Sequence, residues 1–216
     1  VRFAREHEVY VYCRKHKSDY KEDTYKGVNL IKLGSLNTKH FDTLSHTFFS
    51  ILHLLLFTDI KIVHLYNSAN AIFLPLLKLF GVKTVVSVDG LEWKRLKWNW
   101  VVRTYLKIAE GICVNFADSI IADSKVVQKY YRNNHLVNPV YIPYGSENTS
   151  IDVNLLDKFG LIPKRYFLFV GRLVPEKGID KLITAYNKVK TDIPLAIVGD
   201  DPDHRGYISK LKAEAN

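Results

Sequence analysis

Tyr166-Phe167-Leu168-Phe169-Val170, followed by Gly171-Arg172-Leu173-Val174-Pro175-Glu176-Lys177-Gly178, is the stretch that decides the fold. An unbroken run of apolar and aromatic residues predicts a buried strand. The glycines and proline after it predict a turn. Beyond the turn, Ile179, Leu182, Ile183, Tyr186 and Val189 recur at i, i+3, i+4, i+7 and i+10, the spacing of a helix laid on a sheet. A second strand, Leu195-Ala196-Ile197-Val198, runs into Gly199-Asp200. Strand, helix and strand in this order predict a parallel βαβ unit.

The same alternation runs back towards Val1. Short β-branched runs predict strands at 7–13, 28–33, 60–65, 83–88, 119–122 and 139–142, with helices between them at 43–57, 69–80, 98–116 and 125–134. Gly81 is placed to stop the second helix, and Asp123-Ser124 offers a side-chain cap to the fourth. Ile142-Pro143-Tyr144-Gly145-Ser146 then breaks the rhythm. The expected organisation is α/β: a Rossmann-like domain over 1–145 and the start of a second over 146–216, opening with a short helix at 153–159.

Composition bounds the function. Of 216 residues, 47% are apolar and 25% charged, which excludes disordered and fibrous classes. The net charge of +9 invites acidic partners, yet the cations are spread thinly and no RNA-binding aromatic motif, zinc-finger spacing or basic helix stands out. Nucleic acid is therefore not an expected partner. Cys13 and Cys113 lack metal-ligand spacing and read as buried thiols in a reducing compartment. The chain opens on Val1, contains no methionine, and reads at 1–7 and 208–214 as helices without start or stop signals. The expectation is a piece of a longer polypeptide.

Residues with chemistry gather where strands end. In open α/β sheets ligands sit at the carboxyl ends of the strands. Arg172 offers a planar fork for phosphate oxygens, Lys177 a compact charge, and Gly171 a close backbone approach. Amides opening the helix at Gly178 add partial positive charge, so a diphosphate is neutralised without a metal or other cofactor. Asn67 and His64 end another strand. Asp89 follows a strand and precedes Gly90, and Glu92 stands beside Arg95. Trp93, Trp98 and Trp100 with Lys94, Arg95 and Lys97 form a basic aromatic segment suited to sugar stacking or a lipid surface, at least one tryptophan being expected in the core. Asp200-Asp201-Pro202-Asp203-His204 is rich in potential ligands but reads as a helix cap, with Asp203 the candidate.

Phe169-Val-Gly-Arg-Leu-Val-Pro-Glu-Lys-Gly-Ile-Asp180 with Ala196-Ile-Val-Gly-Asp200 resembles the family 4 retaining glycosyltransferases of the two-domain GT-B type. The segment from Val88 to Trp98 is similar to that of a bacterial subgroup including rhamnosyltransferases of polysaccharide assembly. Ile120-Ile-Ala-Asp-Ser124 and the Ile142-Pro-Tyr-Gly145 hinge match the family pattern too. The resemblance implies a nucleoside-diphosphate sugar donor, a glycan or lipid-linked acceptor, and retention at the anomeric carbon. It places the donor diphosphate on Arg172 and Lys177, with Gly199 against the nucleotide. Asp89 stands where many relatives have a histidine that contacts the transferring sugar or acceptor. Asp89, Glu92, Trp93 and Asn67 make up the expected acceptor side. The family's glycine-rich loop and E-x7-E element lie outside 1–216, so the chain alone is expected to turn over poorly. A cytoplasmic enzyme visiting the inner membrane face is the expected setting. The alternatives are a non-catalytic nucleotide- or glycan-binding remnant of such an enzyme, or a dinucleotide-dependent oxidoreductase, against which the absence of G-x-G-x-x-G counts.

Overall fold

The computed structural model describes residues 1–38, 41–95, 98–146 and 155–215. The chain divides into two compact units, Val1–Ser146 and Glu147–Asn216. Both are α/β with parallel strands, as the Rossmann-like reading of the sequence expected.

In the first unit, β1 (Tyr10–Arg14) pairs in parallel with β3 (Val28–Leu33), and the short β2 (Thr24–Tyr25) adds antiparallel to β3. Lys26 and Gly27, both at positive φ, make the two-residue turn between β2 and β3. A second sheet holds β4 (Ile62–Tyr66), β5 (Lys83–Val88), β6 (Ser119–Ala122) and β7 (Val140–Tyr141), all parallel and in chain order. The parallel strands thus form two sheets where one was expected, because no described strand pairs with both β1 and β4.

Helices α1 (Asp42–Phe57), α2 (Leu74–Leu79), α3 (Trp100–Phe116) and α4 (Lys125–His135) cover these sheets. Their ends follow local chemistry. Asn99 accepts the Val102 amide and starts α3 two residues later than the apolar pattern predicts. Ser124 accepts the Val127 amide and starts α4. The helix expected at 69–80 is divided: 3-10 turns span Ser68–Phe73, and Pro75, which lacks an amide proton, sits in the first turn of α2. Gly81 then ends α2 in the left-handed conformation. Ile51, Leu54, Leu74, Leu77, Val86, Val88, Cys113, Ala122 and Tyr131 form the main core. Tyr12 of β1 packs against it and meets His53 of α1 through its hydroxyl at 3.2 Å. Cys113 is buried as expected, whereas Cys13 is only half-buried, because it stands on an edge strand.

The first residues form a 3-10 turn, Phe3–Arg5, where the end of an α-helix was expected. In the second unit, β8 (Phe167–Val170) pairs in parallel with β9 (Leu195–Val198). Between them runs α5 (Ile179–Tyr186), and α6 (Arg205–Glu214) follows β9. Past Tyr186 the helical pattern tightens into i→i+3 turns, with the amides of Lys188 and Val189 bonded to Ala185 and Tyr186. Leu173, Ile179, Ile183 and Leu211 are the buried core here. Of the helix expected at 153–159, the part before Leu155 lies outside the described residues, and a 3-10 turn occupies Asp157–Phe159.

Candidate functional site

The strand ends of the second unit are built on two glycines. Val170 is in register with Val198, and the Gly171 amide donates to the Val198 carbonyl at 3.0 Å. Gly199 follows at φ 155°, and a Cβ built there would lie 1.8 Å from the Gly171 oxygen. The observed demand for glycine at 199 is this backbone contact. Leu173 and Val174 are buried and pin the turn, which closes as a 3-10 turn over Pro175–Lys177. Gly178, left-handed at φ 67°, starts α5.

That anchoring leaves both cations of the turn on the surface. The Arg172 side chain is 64% exposed, with Nη1 3.9 Å from Oδ2 of buried Asp201, whose other oxygen meets His204 Nδ1 at 2.9 Å. Lys177 is exposed. Asp201 therefore lies near the guanidinium at ion-pair distance while leaving its donors open. The sequence reading counted Asp201 only as part of a cap. The cap of α6 is in fact His204, without a capping bond, and the Asp203 side chain is outside the described residues. At the start of α5, the Tyr207 hydroxyl receives the Asp180 amide at 3.4 Å and donates to the Asp180 carboxylate at 3.0 Å. The Tyr207 hydroxyl first, and the amides of Lys181 and Asp180 after it, hold the Asp180 carboxyl below its ordinary range. Part of the helix-end field is thereby already answered by Asp180, so Arg172 and Lys177 supply most of the charge offered to an anion.

In the first unit the register sets Asn67, Asp89 and Asp123 after β4, β5 and β6, along one carboxyl edge. Asn67 sits at φ 73°, its side-chain oxygen accepting the Ala69 amide at 2.9 Å. That oxygen is committed to starting the 3-10 turns. His64 meets Ser87 Oγ at 2.8 Å and stacks on Tyr66, and burial pushes its pKa down. Asp89 is exposed directly after β5, before Gly90 at φ 142°. Glu92 takes Arg95 Nη1 at 3.0 and 3.1 Å. Trp93 lies beneath the ammonium groups of Lys94 and Lys107, at 5.3 and 4.6 Å from its ring centre. Trp93 and Trp98 are half-buried and Trp100 is 77% exposed, so no tryptophan enters the core. Leu96 and Lys97 fall outside the described residues. The sequence reading missed Asp123 as more than a capping neighbour. Its Oδ1 is buried and has no hydrogen-bond partner among the described residues. The available signal was its place directly after a strand, the same as that of Asp89.

Among the described residues, no three His, Cys, Asp or Glu side chains group to hold a metal, and no helix is long and apolar enough to cross a membrane. Residues 156–216 match the family model "Glycosyl transferases group 1", which spans both strand ends of the second unit and supports a GT-B glycosyltransferase. No curated protein matches the chain. Residues 4–147, most of the chain, match the model "Domain of unknown function (DUF1972)". The chain therefore belongs to the DUF1972 family, continued here by a group 1 glycosyl transferase segment that supports glycosyl transfer as its function.

Proposed function

We propose that the protein transfers a hexose or deoxyhexose, rhamnose being one case, from a nucleoside-diphosphate sugar to a glycan or lipid-linked acceptor with retention of configuration. The observation that carries this reading is the turn after β8, where buried Leu173 and Val174 hold Arg172 outward against Asp201. The difficult part of such a transfer is the charge that collects on the departing diphosphate. Arg172 meets it with two parallel N–H donors and Lys177 with a point charge. The Arg172–Asp201 contact is long and mostly solvated, so yielding it to a diphosphate costs little. Cations placed where charge develops act on the transition state more than on the substrate. No metal is needed in this reading. Asp89 takes the acceptor side, with Glu92, Trp93 and Asn67 shaping its surroundings, and the exposed basic aromatic segment around Trp93 and Trp100 suits an inner-membrane surface at which the acceptor is presented.

The test is turnover of nucleoside-diphosphate sugars by the protein and its variants. Arg172→Ala is expected to lower kcat/KM by roughly 10²–10³, the usual effect of removing one transition-state donor. Equal rates for Arg172→Ala and the parent would overturn the assignment. Diphosphate binding without turnover in a longer polypeptide that also carries the glycine-rich loop and the E-x7-E element would favour a binding remnant over an enzyme.

A further inference from the structure

A second cluster of polar groups stands in the first unit, at the carboxyl end of β1. Arg14 closes β1, the 3-10 turn Lys15–Lys17 follows it, and α1 begins nearby at Asp42. Tyr12, Cys13, Arg14, Lys17, Ser18 and His46 line a cavity of about 480 Å³. Asp42 is buried and fully engaged: it takes Lys17 Nζ and the Ser35 hydroxyl, each at 2.6 Å, and faces His16 Nε2 at 3.5 Å. One carboxylate thus answers a group of three basic side chains, Arg14, His16 and Lys17, and the cluster keeps a positive balance.

Two nitrogens of the cluster are left over. Arg14 Nε is buried 3.7 Å from Asp42, beyond hydrogen-bond range, while Nη2 donates to Thr43 Oγ1 at 2.9 Å. His46 is only 8% exposed, and its Nε2 has no partner among the described residues. Burying a polar atom without a partner is destabilising, and each such atom calls for a group that completes it. Lys17, 55% exposed, still has N–H bonds to offer after its bond to Asp42.

We infer that this cavity is a binding site for an oxyanion, a phosphate or a carboxylate, received by Arg14 and Lys17 with His46 completing the contact. The site does not depend on the glycosyl-transfer reading. Within that reading it would take an anionic group borne on the acceptor, either a sugar carboxylate or a phosphate.

The experiment is residue-resolved NMR titration of the full chain with inorganic phosphate, with glucuronate and with neutral glucose. Phosphate and glucuronate are expected to shift the amides of residues 12–18 and the His46 ring, and glucose to leave them in place. Tighter binding of glucuronate would assign a sugar carboxylate as the occupant, and tighter binding of phosphate a phosphate group. Lys17→Gln is expected to weaken the anion by about tenfold, Lys17→Arg to restore it, and Arg172→Ala to leave it unchanged. The inference is overturned if shifts are confined to residues 171–178, if glucose acts as glucuronate does, or if Lys17→Gln binds as the parent does. Shifts at 12–18 without any at 171–178 would uphold this site and count against the diphosphate turn instead.

Discussion

The two units use one pattern, parallel strands with helices between them, but finish it differently. The first buries its central strands under helices, with Val86, Val88 and Ala122 almost wholly enclosed. The second has two strands among its described residues, and Phe167, Leu168, Val170 and Val198 all remain exposed. Its buried core is Leu173, Ile179, Ile183 and Leu211. A two-stranded sheet is marginal by itself, so the second unit depends on the few contacts that are tight. Gly199 against Gly171 is one of them, with no room for a Cβ. The comparison teaches that the candidate diphosphate turn is built on the more weakly covered unit. The exposed Asp89 stands on the better packed one.

The sharpest way to break this contrast is Gly199→Ala. The added methyl cannot fit against the Gly171 carbonyl, so ordered structure is expected to be lost across residues 155–215 and kept in the first unit. Amide exchange of both units checks this, and protection retained in β8 and β9 would refute the packing role. In the parent, the second unit is expected to open at lower denaturant than the first, as its smaller core requires. Exchange rates in β9 faster than in β5 are the signature, and equal rates would erase the distinction.

A smaller effect is expected in the first unit. Buried Glu110 of α3 accepts the Tyr130 hydroxyl at 2.8 Å and His135 Nε2 at 2.7 Å, which ties α3 to α4. Glu110→Ala should cost about 2–3 kcal/mol in chemical denaturation of that unit alone. The smallest effect concerns acid. Burial would raise the Asp42 carboxyl, but bonds from Lys17 and Ser35 and the charge of Arg14 prevail and hold it at about 2. Its folded pKa lies below the unfolded one, so its stabilisation is complete above about pH 4 and fades as pH falls towards 2. Asp42→Asn should flatten this part of the acid unfolding profile.

Much of the fold was legible in the sequence. Strands at 28–33, 83–88, 119–122 and 195–198 stand where β-branched and apolar runs lie between turn residues. Thr24–Tyr25 was not legible, because a two-residue strand in a polar stretch has no periodicity to show. The turn carrying Arg172 could be read from spacing. Asp201 could not, because its burial beside Arg172 arises from strand pairing between residues far apart in sequence. His46 was hidden for a related reason: within the run of α1, nothing local marks a histidine whose Nε2 finds no partner among the described residues.

The most direct measurement is calorimetric titration of the protein and of Arg172→Ala with a panel of nucleoside diphosphates. The account predicts that at least one binds without added metal, and that Arg172→Ala weakens it by about tenfold or more, the loss of a charge-assisted bidentate contact. Equal affinity in both proteins, or binding that appears only with a divalent cation, would contradict it.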